Sequence, residues 1–285
     1  MITYNSKIIS PSQGKVLDGV LAPEPIILPA YTLRLLLRPG IDVSIRSWKG
    51  TFTKVSDEPY IWDVTYENSD WSYMLADVQP CGIFEVIAAG DTSGVTNMDH
   101  MFQGCQDLTS IPLFDTSNVT SMNGMFIDCD NLTTIPQFNT SNVTSMASMF
   151  YNTSGKGLTS IPMLDTSKVT NTGSMFCGNA RLESVPQFDT SNVTFMHGMF
   201  QYCHALRFVP FLNISKVTDI SRAFQDCFNA ATGSLMLYRQ AIGQANPPMY
   251  HENTFEHCGR DTVTGTAELA RIPTSWGGTL VYDHI

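Results

Sequence analysis

Asp115-Thr116-Ser117-Asn118-Val119-Thr120-Ser121-Met122-Asn123-Gly124-Met125-Phe126-Ile127-Asp128-Cys129-Asp130-Asn131-Leu132-Thr133-Thr134-Ile135-Pro136-Gln137-Phe138 is one period of a repeat. Near copies of its opening phrase begin at Asp91, Asn139, Asp165, Asp189 and Asn213. Aligned on their valine, the copies place Val95, Val119, Val143, Val169, Val193 and Val217 at steps of 24, 24, 26, 24 and 24 residues. The two extra residues of the third unit fall in the Asn-Thr-Ser-Gly-Lys-Gly run at 152–157, whose composition reads as a surface loop. A fixed period of this length marks an array in which no unit buries its own apolar face and stacked neighbours bury it together.

Within the unit, Val119, Met122, Met125 and Phe126 follow one another at spacings that put one apolar stripe on about two turns of helix. Ser117 precedes the stripe and reads as its N-cap. The phrase Leu132-Thr133-Thr134-Ile135-Pro136 reads as a short strand ended by its proline. The Asp-Thr-Ser-Asn phrase then turns the chain into the next unit. The fold expected is α/β: a solenoid of about 24-residue units with short parallel strands and helical turns, preceded by a small β-domain with an extended N-terminal arm.

These phrases resemble the BspA-type leucine-rich repeats of bacterial surface proteins, in the variant D-T-S-x-V-T-x-M-x-x-M-F-x-x-C, and Asp115 to Phe138 is a nearly complete example. The resemblance spans about Trp71 to Pro273. It implies a leucine-rich-repeat stack and a role in adhesion or recognition on bacterial surfaces or in phage and prophage proteins, and it carries no catalytic residues.

The pattern reaches past its obvious ends. A step of 24 back from Cys105, Met98 and Leu108 gives Cys81, Met74 and Phe84, so 67–90 reads as a degenerate capping unit with a strand at 84–87. Downstream, 228–250 reads as an insertion with helical character, and 251–285 as a terminal cap that restores Phe255-Glu256-His257-Cys258 and Leu269-Ala270-Arg271-Ile272-Pro273. Upstream, residues 1–30 hold four prolines and little periodicity and read as the arm. Residues 31–66 read as the β-domain, with strands expected at 31–38, 44–48, 51–55 and 60–64. The arm and β-domain are expected to dock the repeats onto other virion or surface-assembly proteins.

The chain has 285 residues and a formal net charge of −10, which argues against a nucleic-acid partner bound through phosphate neutralisation. Hydrophobic residues make up 43 %, enough for a core, and no stretch approaches the roughly 18 apolar residues of a membrane span. The first residues, MITYNSKIISPSQG, show neither the charged-then-apolar pattern of a secretory signal nor a lipidation cysteine. A virion location is therefore expected, with a bacterial cell surface as the alternative. Composition leaves a homo-oligomer open.

Six cysteines (Cys81, Cys105, Cys129, Cys203, Cys227 and Cys258) share one repeat position, with Thr153 and Asn179 filling it in two units. One per coil and without a Cys-x-x-Cys pair, they read as small core residues rather than metal ligands. Cys177 is out of register and is expected nearer the surface. The methionine columns read as core packing. His100, His197, His204, His251, His257 and His284 read as scattered surface residues. The sequence shows no His-Glu-x-x-His, Gly-x-Ser-x-Gly or phosphate-loop phrase, and no cofactor or metal is expected. An enzyme built on the 230–257 insertion, with His251 or Glu252 acting, is the weaker reading. A ligand face should lie where repeats differ on a constant frame, and that picks out Tyr151, Glu183, Tyr202, Arg207 and Phe208. The function expected is non-enzymatic recognition of a protein or glycan on a cell surface.

Overall fold

The leucines of Thr-Leu-Arg-Leu-Leu-Leu alternate, so one face of the strand they form is apolar. That strand is β1 (Thr32–Leu37), and Leu33, Leu35 and Leu37 are buried. It is central in an antiparallel sheet with β2 (Thr51–Asp57), β3 (Tyr60–Thr65) and β4 (Ile83–Ala89), in the order β2-β3-β1-β4. Leu33 lies opposite Val64, and Leu35 lies between Trp62 and Val86. On the other face Arg34 and Asp63 form a bidentate ion pair at 2.7 and 2.8 Å. In this computed structural model the described residues are 27–39, 51–57, 59–66, 68–76, 82–153, 155 and 157–279. The arm over 1–26, the strand expected at 44–48, Cys81 and His284 lie outside them.

The strand expected at 84–87 as part of the first repeat unit is β4, and it belongs to the sheet. It also meets the first full repeat: Thr109 N–H donates to the Phe84 carbonyl at 2.8 Å and Glu85 bridges Ser110 in parallel. The sheet therefore passes directly into the repeats. The capping coil is also shifted from its sequence alignment. Asp70 pairs with Asn97 and Tyr73 N–H donates to Asp99, so Met74 occupies the place of Met101, and Trp71 that of Met98.

The expectation of helical turns and short parallel strands in the repeats is corrected. The segments 91–232 hold turns and single-residue bridges, and among the described residues the α-helices lie outside them. The reason is in the backbone. Each coil carries two residues with left-handed φ, four apart: His100 and Gly104, Gly124 and Asp128, Ser148 and Asn152, through to Asn253 and His257. A φ near +55° breaks an α-helix after a few residues, because the chain no longer brings N–H(i) to the carbonyl of i−4.

Amides instead alternate in destination. In one coil Met101, Gln103 and Cys105 donate three residues back within the coil, at 3.0–3.3 Å. Met98, His100, Phe102 and Gly104 donate to Ser121, Asn123, Met125 and Ile127 of the next coil, at 2.7–3.0 Å. Parallel bridges at Asn97, Ser121, Ser145, Asn171, Phe195, Asp219 and Tyr250 run the length of the stack. The Leu-x-x-Ile-Pro phrase, expected to be a strand, lacks that regular ladder, and Glu85–Ser110 is its one bridge among the described residues.

Side chains at the apolar repeat positions still face inward. Phe102, Phe126, Phe150, Phe176, Phe200 and Phe224 are fully buried and stack coil on coil with centroids 5.3–5.6 Å apart. Phe255 continues the row, and Trp276 closes it at 6.3 Å. The insertion forms α1 (Ser234–Ile242), and the cap holds α2 (Val263–Leu269) and a 3-10 turn at Thr274–Trp276. Leu269 and Ile272 are buried as their repeat positions require, but Leu269 ends α2 rather than opening a strand.

Candidate interaction surface

The repeat divides into positions that hold coils together and positions that do not. Asp115 Oδ1 accepts the Ser117 N–H at 3.0 Å, and the same turn recurs at Asp91, Asn139, Asp165, Asp189 and Asn213. Ser117 is thus the donor of an Asx turn, not a helix cap. Hydrogen bonds from the adjoining serines hold the Asp91, Asp115, Asp165 and Asp189 carboxyls below the usual carboxylate range. The buried Thr116 hydroxyl donates forward to Asn139 O at 2.8 Å, while Asn118 Nδ2 donates back to Ser93 O at 2.8 Å.

The cysteine column does more than fill space. Cys129, Cys203 and Cys227 donate through Sγ to the Phe102, Phe176 and Phe200 carbonyls, at 3.0–3.1 Å. Where the column departs from cysteine the donor persists: Asn179 Nδ2 reaches the Phe150 carbonyl, and Thr153 bonds to Asn179. Burial pushes the Cys203, Cys227 and Cys258 thiols well up. Cys177, expected nearer the surface, is buried, which raises its thiol to about 11.

Of the described histidines, His257 is exposed as expected and the other four are half-buried against a neighbouring side chain. His100 stacks on Tyr73 at 4.5 Å, His204 on Phe228 at 4.6 Å and His251 on Trp276 at 4.2 Å. His197 Nδ1 meets Ser221 Oγ and His257 Nδ1 meets Asp226 Oδ1, both at 2.8 Å.

The five residues singled out from sequence fall in two groups. Tyr151 and Tyr202 follow the Met-Phe pair and are both exposed. Tyr202 has a left-handed φ of 62°, a site filled by Asp128, Gly178 and Asp226 in other coils. The neighbouring Cys177 thiol, and then burial, raise the Tyr151 phenol. Beside them Gln201 Nε2 donates to Gln225 Oε1 at 2.6 Å, extending a polar row to Glu256. Glu183, Arg207 and Phe208 lie at the other variable position. Glu183 and Arg207 are ion-paired across adjacent coils, and Phe208 is exposed. Coil stacking brings Glu183 and Arg207 together, whereas the coil of Cys177 and Gly178 stands between those of Tyr151 and Tyr202, and the buried Cys203 and Leu206 lie between the two groups along the chain.

Sequence reasoning missed a third column, between the proline and the buried Phe or Leu of each unit. Leu113, Met163 and Phe211 are 63, 51 and 55 % exposed there, alternating with Gln137 and Gln187. The signal was present as an apolar residue at a position that glutamine also fills. Among the described residues no group of three His, Cys, Asp or Glu side chains is placed to hold a metal ion, and no helix is long and apolar enough to cross a membrane.

The family described as "Mycoplasma protein of unknown function, DUF285" matches residues 69–156 and 154–235, the span that carries the Asp-Thr-Ser phrases. No curated protein matches the sequence. Among solved structures, a leucine-rich repeat protein from Eubacterium ventriosum is similar at 21 % identity and a TM-score of 0.41. The alignment covers 61 % of this chain and 46 % of that one.

Proposed function

The chain belongs to the DUF285 family, and from that premise we propose that it is a non-enzymatic recognition protein, a leucine-rich-repeat solenoid that displays variable positions to a protein or glycan. The supporting observation is the division of the repeat. Frame residues bond to neighbouring coils, whereas Tyr151 and Tyr202 replace other residue types at exposed positions without changing the inter-coil backbone bonds, and Arg207 and Phe208 are exposed at the second variable position. A repeat array can alter such positions unit by unit while its fold stays fixed. Exposed tyrosine and arginine are side chains that supply binding energy when a partner covers them.

In the same proposal, residues 1–66 attach the stack to a larger assembly, and that assembly is a phage particle. The test is to titrate fluorescently labelled full chain onto arrayed glycans and intact bacteria, and to band particles from the source culture on a density gradient. Saturable binding is the expected result; no binding to either, or substrate turnover that follows His251 and Glu252, overturns the recognition reading. Stoichiometric recovery in banded particles supports the virion. Recovery only by protease shaving of cells replaces it with a bacterial adhesin.

A further inference from the structure

The missed column stands beside the row of Asx turns. Leu113, Met163 and Phe211 sit two coils apart, two residues before Asp115, Asp165 and Asn213. Between the two rows runs a depression of about 420 Å³ whose lining includes Gln137, Asn139, Met163, Asp165, Gln187 and Asp189. Gln137 and Gln187 donate to the Met163 and Phe211 carbonyls of the following coil, so the rim's backbone is engaged while its apolar side chains are left to solvent. Asp91, Asp115, Asp165 and Asp189 line the rim, and their serine hydrogen bonds keep them ionised. The rim's lysines, Lys168 and Lys216, keep their charge but are held back on Asn142 and Asn192 at 2.7 Å, so the four carboxylates outnumber them. Apolar anchors flanked by a net negative row complement a partner with the same apolar character and positive charge.

We propose that this rim docks a polypeptide segment in which lysine or arginine alternates with apolar side chains. The inference rests on the recognition reading and names the partner chemistry of one surface.

The repeat supplies substitutions its own coils already tolerate. Asparagine makes the Asx turn at Asn139 and Asn213, with Oδ1 accepting at 3.2 and 3.1 Å, so Asp165→Asn and Asp189→Asn remove charge without removing the turn. Glutamine occupies the apolar column at Gln137 and Gln187, so Met163→Gln and Phe211→Gln remove the anchors without new geometry. The probe is a synthetic peptide of alternating lysine and leucine, titrated by fluorescence anisotropy against the full chain and against the fourfold variant. The variant is expected to stay folded, with a Tm within about 5 °C of native, and to bind at least about tenfold more weakly, and a lysine–serine peptide to bind the native chain weakly by a similar factor. Equal binding by native chain and variant, equal binding of the two peptides, or no binding at all overturns the proposal. A chain that binds cells or glycans but ignores the peptide loses this docking surface and keeps the recognition reading.

Discussion

Asn179 shows what one position in the repeat is for. The cysteine column looks like a row of small apolar groups, yet Cys129, Cys203 and Cys227 each aim a donor at the phenylalanine carbonyl of the preceding coil. Asn179 keeps that donor with a different side chain and also bonds to Phe176 O at 3.0 Å. Asn179→Leu leaves the Phe150 carbonyl with only the longer Thr153 hydroxyl bond at 3.4 Å and takes from that hydroxyl its Asn179 acceptor, so it is expected to cost about 1–3 kcal/mol in urea unfolding. Asn179→Cys restores the column and should cost less than half as much. Equal losses for the two would show that volume, not the donor, decides the site. The sequence identified this column through spacing alone, which locates a buried residue but does not show whether its hydrogen is used.

At the scale of the element, the buried face was legible and the backbone that carries it was not. Spacings of three, three and one placed Val119, Met122, Met125 and Phe126 in the core, where they lie. The same spacing suits a helix and a run of three-residue turns. What separates them is the left-handed pair in each coil, filled variously by Gly, Ser, Asn, Asp, His, Arg and Tyr. Glycine alone would have flagged such a position; a mixed column does not.

The Asx turns give a pH dependence. Their carboxyls have depressed pKa values in the folded chain, so their contribution is present above the unfolded value near 3.9 and is lost as pH falls through the lower folded values. Urea midpoints should fall on acidification below about pH 4, and less steeply for the Asp165→Asn, Asp189→Asn chain. Identical slopes would mean these turns are not coupled to folding.

The helix of the insertion is capped by a residue from another element. Gly233 leaves the first turn of α1 without a side-chain cap of its own, and Glu268 of α2 supplies one, accepting from Ser234 Oγ at 2.8 Å and Leu235 N at 3.1 Å. A carboxylate at a helix N-terminus is favourable both as acceptor and as charge. Glu268→Ala should cost about 1–2 kcal/mol, read from urea unfolding; a loss below about 0.5 kcal/mol would show that α1 holds its place without it.

For the whole molecule, sequence made the repeat, its period, the helical insertion and the strands β1, β2 and β3 legible, because each rests on local spacing. It did not show that β4 joins the sheet to the repeats, since the pairing of Leu35 with Val86 links segments some fifty residues apart. Nor did it isolate the apolar rim, because Leu113, Met163 and Phe211 resemble frame residues until their exposure is known. On the proposed reading the stack is a fixed frame, and its exposed departures from the repeat carry binding.

The most direct test replaces those departures with residues that sister coils hold at the same positions: Tyr151→Gln, Glu183→Thr, Tyr202→Asp, Arg207→Thr and Phe208→Ser. Labelled native and substituted chains are titrated onto intact bacteria by flow cytometry, with thermal melts alongside. The account predicts a Tm within about 3 °C of native and a loss of saturable binding of about tenfold or more. Undiminished binding by the substituted chain would contradict it.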